Sequence, residues 1–199
     1  MNTKKKGFII AFVGPSASGK TEIVKRLVKN NDLFRRVVTA TTRKPRPGER
    51  HGVDYFFLSP DQFDEERKKG NIIEETEYAG ARYGTLASEL ERIHGEGKVA
   101  LLILDMNGVR ALKEYFGAEN VESIFVFRHP REIEEELKNR PVSKEETDER
   151  IKLAREEIGN IAECDTVIYN TKDIHNVMIE AEEKVMAAYL HWDLLFNEN

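Results

Sequence analysis

Phe8-Ile9-Ile10-Ala11-Phe12-Val13 runs directly into Gly14-Pro15-Ser16-Ala17-Ser18-Gly19-Lys20-Thr21. An apolar run without polar alternation predicts a strand buried on both faces, as in the interior of a parallel sheet. The residues that follow fit G-x-x-x-x-G-K-[ST], and Thr21–Asn30 then has helical spacing. A glycine turn that merely caps a helix is the bland alternative, but strand before and helix after is the context a phosphate-binding loop requires. Glycines let consecutive N–H groups point at one phosphate, at the positive end of a helix. Lys20 can reach the β- and γ-phosphates, and Thr21 can offer its hydroxyl to Mg²⁺. Gly14 to Thr21 therefore predict a nucleoside triphosphate site with Mg²⁺ as cofactor. The loop alone does not name the phosphoryl acceptor.

Further apolar runs lie at Val99–Leu104, Val121–Phe127 and Thr166–Tyr169. Helical spacing marks Leu86–Gly95, Val109–Phe116, Arg131–Asn139, Asp148–Ile161 and a last stretch from Asp173 towards Phe196. Alternating strands and helices predict an α/β fold, a parallel central sheet with helices on both faces. Two regions break the rhythm. Val37 to Tyr83 holds short strand-like pieces (Val37–Ala40, Tyr55–Leu58, Ile72–Tyr78) around a Pro/Arg/Gly loop and one helix, which predicts a small, mostly antiparallel insertion. Lys138–Thr147 is polar with Pro141 and reads as a flexible turn between helices, a candidate lid. Tyr189, Leu190, Trp192, Leu194, Leu195 and Phe196 are expected to pack back on the core.

Composition narrows the class. The 199 residues carry 31 Lys plus Arg against 36 Asp plus Glu, a net charge of −5 that argues against a general nucleic-acid binder. A hydrophobic share of 40% is ordinary for a globular chain and suits one compact unit. A lone cysteine, Cys164, excludes an internal disulfide and fits a reducing compartment; it reads as a small buried apolar residue. No apolar run approaches a membrane span of about 18 residues. Lys4-Lys5-Lys6 before the first apolar run mimics a short signal peptide, but the run feeds a glycine motif and reads as a strand. The expectation is a cytoplasmic protein.

A second anion site is legible in Thr39-Ala40-Thr41-Thr42-Arg43-Lys44-Pro45-Arg46-Pro47-Gly48-Glu49. Arg43 and Arg46 flank a proline that stiffens the backbone, so two guanidinium forks could converge on one anion. A solvated basic loop is the competing reading. Tyr55 and Tyr83 add phenolic hydroxyls in the same insertion.

In order and spacing, Thr39–Glu49, Gly52-Val53-Asp54-Tyr55, Ile73-Glu74 and Tyr83-Gly84-Thr85 resemble the nucleoside-monophosphate site of guanylate kinases. The phosphate loop, Leu104-Asp105-Met106-Asn107-Gly108 and Val167-Ile168-Tyr169-Asn170 continue the resemblance from about Phe8 to past Asn170. It implies a phosphate-loop NTPase domain with three layers: core 1–35, 86–137 and 151–199, a GMP-binding insertion at 36–85 and a helical lid at 138–150. The implied reaction is ATP-dependent phosphorylation of GMP, and of dGMP, by direct in-line transfer. Arg43, Arg46, Tyr55 and Tyr83 would hold the GMP phosphate. Glu74 would accept from guanine N1–H and N2, Thr39 would donate to O6, and Thr85 would add a contact to the base. Asp105 would sit between base and metal-water shell, or simply cap the helix after it. Asn170 would lie on the adenine side of the ATP pocket, or be a plain turn residue. Lys20, Arg43, Arg140 and Arg150 would neutralise the transferring phosphoryl group.

Two residues depart from the family pattern. Ile103 stands where the first aspartate of a D-x-D pair is usual, which implies a thinner metal-water network. Glu136 replaces a lid arginine, so either Arg128, Arg131 or Lys138 substitutes for it or turnover suffers. Thr39 for the commoner serine keeps the hydroxyl. Two other readings compete with a GMP kinase: a guanylate-kinase-like peptide-binding module, and a kinase of another small phosphorylated acceptor. An intact phosphate loop opposes the first and the Thr39/Glu74 pair the second. Monomer and homodimer are both compatible with the sequence.

Overall fold

The structure, a computed structural model, describes residues 7–78, 80–139, 143–171 and 173–197. Its centre is a parallel sheet of β1 (Ile9–Val13), β2 (Phe34–Arg36), β7 (Val99–Ile103), β8 (Val121–Phe127) and β9 (Thr166–Tyr169), in the order β2-β7-β1-β8-β9. Ile9 lies between Ala100 and Val121, so the strand that leads into the phosphate loop is the middle one. Every residue of β1 is buried, as the unbroken apolar run requires.

The two faces of the sheet make two cores. Ile10 and Phe12 pack with Ile23, Val24 and Leu27 of α1 (Lys20–Asn30) and with Val177, Ala181 and Val185 of α7 (Ile174–Trp192). Ile9, Ala11 and Val13 pack with Leu90 and Ile93 of α3 (Ala87–Gly95) and Val109, Leu112 and Phe116 of α4 (Met106–Phe116). This is the expected α/β architecture of helix, sheet and helix layers.

A second sheet has the order β4-β3-β6-β5, from β3 (Ala40–Thr41), β4 (Phe56–Phe57), β5 (Ile72–Tyr78) and β6 (Ala81–Leu86). It is mixed: β3 runs parallel to β4 and antiparallel to β6. Phe63 of α2 (Pro60–Lys68) fills its small core with Ala40 and Leu86. Ser59 and Gln62 form a reciprocal capping box that fixes where α2 begins. The last layer is a helix pair, α5 (Pro130–Lys138) and α6 (Lys144–Ile158), joined by Ile133, Leu137 and Ala154.

Several sequence expectations need correction. The piece read as one strand, Val37–Ala40, splits into β2 before it and β3 at its end. α6 begins at Lys144 rather than Asp148, because Ser143 accepts from Glu146 N–H and starts the helix early. α4 begins at Met106, where Asp105 caps Gly108 N–H. The C-terminal residues do not all return to the core. Trp192 is buried and Tyr189 packs beside it, whereas Leu190, Leu194, Leu195 and Phe196 are exposed. Leu190 stands on the outer face of α7, and beyond Trp192 the chain passes into a π-helical turn at Asp193–Asn197 whose spacing no longer points Leu194, Leu195 and Phe196 inward. Cys164 is half-buried beside Met106, and burial pushes its thiol up to about 11. Among the described residues no helix is long and apolar enough to cross a membrane.

Candidate active site

A cleft of about 620 Å³ separates the phosphate loop from the second sheet. Gly14, Ser16, Lys20, Thr39, Arg43, Arg46, Tyr55, Glu74, Tyr83, Asp105 and Arg150 all line it, so residues predicted for two different phosphates face one space. Arg140 lies outside the described residues.

On one wall the loop leaves β1 with Gly14 at φ +134°, where a Cβ would stand 2.7 Å from the Val126 carbonyl. Gly19, the N-cap residue of α1, is at φ +100° and has no side chain with which to cap it. No side chain caps the N–H groups of Lys20 and Thr21, which are therefore available to an anion, while Glu22 N–H bonds to the Gly19 carbonyl. A Cβ on Gly19 would also meet Asn170 Nδ2 at 2.2 Å. Asn170 Nδ2 donates to Ser18 O at 2.6 Å, so Asn170 holds the loop rather than lining the cleft. Thr21 is exposed on the first turn, Pro15 and Ser18 are buried, and Ala17 is partly buried behind the loop. Lys20 Nζ donates to the Gly14 and Pro15 carbonyls, the latter at 2.8 Å. Burial pushes its ammonium down to about 8, against the pull of Glu157.

Opposite, Glu74 on β5 and Thr85 on β6 are direct cross-strand partners, and Thr85 Oγ1 donates to Glu74 Oε1 at 2.7 Å. Thr85 is fully buried beneath the carboxylate it orients. Burial holds Glu74 above the usual carboxylate range, with Thr85 opposing and Asp105 adding to the rise. Tyr83, two residues before Thr85, shares its face and stands with its ring centroid 5.9 Å from that of Tyr55. Arg43 is bidentate to Glu49, at 3.0 and 2.9 Å, and its guanidinium lies over the Tyr55 ring. Glu49 also accepts from Arg46 N–H at 2.7 Å, which folds the basic loop into one unit. The Arg43 guanidinium holds the Glu49 carboxyl below its ordinary range.

Sequence reasoning missed Glu157 and Glu49. Glu157 lines the cleft, accepts from Ser16 N–H and faces Lys20, while burial pushes its carboxyl up. Its signal was its spacing: Arg150 and Glu157 are two helical turns apart on α6 and share a face. Arg150 Nη2 donates to Glu146 at 2.6 Å, and its Nε is buried without a hydrogen-bond partner among the described residues. Of the two departures, Ile103 lines the cleft and makes that spot apolar. Glu136 does not line it; its carboxylate stands 3.9 Å from Arg128.

The "Guanylate kinase" family model matches residues 5–188. A guanylate kinase of Clostridioides difficile (strain 630) is 36% identical over 192 residues, covering 91% of each chain. That of Malacoplasma penetrans (strain HF-2) is 37% identical, covering 83% of this chain and 86% of the relative. The crystal structure of guanylate kinase from Anaplasma phagocytophilum superposes with a TM-score of 0.71 at 28% identity, covering 91% of this chain and 85% of that one.

Proposed function

The chain belongs to the guanylate kinase family, and on that premise we propose that it moves the γ-phosphoryl group of ATP onto GMP, and onto dGMP, in one in-line displacement. The observation that carries the reading is the Thr85-oriented carboxylate of Glu74 facing the phosphate loop and Lys20 across one cleft.

Glu74 accepts from guanine N1–H and from the 2-amino group, while Thr39 donates to O6. Adenine has no proton on N1 and no 2-amino group, so the carboxylate would face a lone pair. A site built for such hydrogen bonds rejects the wrong partner by about 10⁴-fold or more. No contact in this scheme uses the ribose 2′-hydroxyl, which is why dGMP is included. Arg43, Arg46, Tyr55 and Tyr83 bind the GMP phosphate. Glu49 braces Arg43 along the Nη1–Nη2 edge and the Lys44 carbonyl accepts from Nη1 as well, so the GMP phosphate would take the Nε side of the fork. Lys20 and the N–H groups of the loop hold the β- and γ-phosphates; Arg150 and Arg140 complete the neutralisation of the moving group. No general base is needed, because the attacking phosphate oxygen is already an anion.

The residues present fit Mg²⁺. Among the described residues no group of His, Cys, Asp and Glu could hold a metal alone. The exposed Thr21 hydroxyl and the Asp105 carboxylate in the cleft are hard oxygen donors suited to an ion that keeps water and nucleotide phosphates as ligands. When bound, Mg²⁺ supplies charge neutralisation between the phosphates.

A coupled assay of ADP release with Mg-ATP, comparing GMP with AMP, CMP and UMP, tests the reading. GMP-dependent release that disappears in Lys20→Ala is expected. Protein that binds GMP yet releases no ADP with any acceptor would instead be a binding module.

A further inference from the structure

Ala17 is, among the described residues, the one non-glycine at positive φ, +66°. An L-residue keeps that conformation only where its surroundings over-determine it. Here they do so from behind the loop. The Ala17 carbonyl accepts from Arg128 Nη1 at 2.9 Å. Its methyl group packs against the Ile133, Leu137 and Ala154 cluster that joins α5 to α6. Arg128 follows directly on β8, and its guanidinium lies 3.4 Å from Glu132 and 3.9 Å from Glu136 on successive turns of α5. Ala17, Arg128, Glu132 and Glu136 do not line the cleft.

We propose that Arg128 is a positioning residue for the donor nucleotide. Through the Ala17 carbonyl it docks the phosphate loop onto the α5–α6 pair, so that seating the triphosphate and seating that pair are one event. Glu136 is then not an anion aimed at the triphosphate. It is the outer anchor of Arg128, and the charge reversal at that position serves the loop. A peptide unit is rigid, so fixing the Ala17 carbonyl also fixes the Ser18 N–H, which bonds to Pro15 O at 3.1 Å and closes the turn. Asn170 fixes the next carbonyl, that of Ser18, from the β9 side. Loss of Arg128 therefore loosens half of a two-point clamp while leaving every group of the GMP wall in place.

The inference rests on the ATP:GMP reading and is tested by steady-state kinetics on Arg128→Met and Arg128→Lys, together with equilibrium titration of ATP without acceptor. Arg128→Met is expected to raise KM and Kd for ATP about tenfold, the worth of a charge-assisted hydrogen bond, with KM for GMP within about twofold. Arg128→Lys should recover part of the loss. A folded Arg128→Met with wild-type affinity for ATP, or with both KM values raised alike, overturns the proposal. Should Arg128→Met not fold, the double variant Glu132→Gln, Glu136→Gln decides: it removes both carboxylates that hold the guanidinium against the Ala17 carbonyl, and wild-type ATP affinity in that variant is the overturning result. A wild type without GMP-dependent ADP release would refute the kinase reading alone, because the ATP titrations still measure the clamp.

Discussion

Glu74 is costly to the fold and indispensable to the proposed chemistry. Burial raises its carboxyl above the ordinary range, so its charged form disfavours the folded state. The stability it contributes is full below the unfolded pKa and is lost as pH rises through the higher folded pKa. Glu74→Gln keeps an oxygen to accept from Thr85 and removes the buried charge. Its urea midpoint should equal or exceed that of the wild type, while kcat/KM for GMP falls roughly 10²-fold or more. A destabilised variant that still selects GMP would contradict both halves of this argument. Lys20 shifts the other way, down to about 8, because burial penalises its ammonium. Phosphates restore the charge, so ATP binding above that pH must take up a proton. Calorimetric titration at about pH 8.5, in two buffers of different ionisation enthalpy, should show uptake in the wild type and none in Lys20→Ala. Uptake of equal size in both would assign the proton elsewhere.

At the scale of elements, the buried strands were legible because burial on both faces leaves few polar residues in the run, Glu122 and Ser123 of β8 and Thr166 of β9 among them. The ones that escaped are the ones that break that rule. β2 is Phe34-Arg35-Arg36, an edge strand whose two arginines remain partly exposed. β6, Ala81–Leu86, mixes small and polar residues because its positions serve the site: Tyr83 lines the cleft, Thr85 holds Glu74 from beneath, and Gly84 admits the close approach of β5, whose Glu74 carbonyl would lie 2.9 Å from a Cβ. Of the site, the glycine loop and the arginine–proline motif were readable as spacings. The Arg128–Ala17 contact was not, since it depends on which elements the fold brings side by side, and the spacing of Glu157 from Arg150 gave its face on α6 but not the Lys20 it faces. The end of α7 shows the reverse error, an apolar spacing that outlasts its burial. Trp192 stacks on Phe8 at 5.2 Å and donates from Nε1 to Asn120 Oδ1 at 2.8 Å. Leu194 and Leu195 beyond it are more than half exposed. Replacing Leu194, Leu195 and Phe196 together by serine should change unfolding free energy by no more than about 0.5 kcal/mol. Trp192→Ala should cost about 3–5 kcal/mol. Urea unfolding followed by far-ultraviolet circular dichroism measures both, and a large loss in the triple variant would show that the tail is packed in solution.

For the whole molecule, the two walls of the cleft belong to different sheets. The chain passes between them at residues 37–39 and where β6 runs into α3 at Leu86 and Ala87. The first passage is tied to the main sheet, where Val37 N–H bonds to Leu101 O, and to the second passage, where Val38 N–H bonds to the buried Glu89 of α3. Such a junction fixes where the second sheet pivots without fixing how far. Phosphoryl transfer demands that the acceptor oxygen approach the γ-phosphorus closely and that water be kept away, or ATP is hydrolysed instead. The insertion at 36–85 and the lid at 138–150 should therefore close together on the bound pair. On the proposed reading each nucleotide alone engages one wall, and only the two together put phosphates on both sides of the cleft that Lys20 and Arg150 line. Small-angle scattering should show compaction with ADP and GMP bound together, and less with either alone. An unchanged radius of gyration with both sites filled would mean that the cleft is already at its working width, and that water is excluded by the substrates themselves.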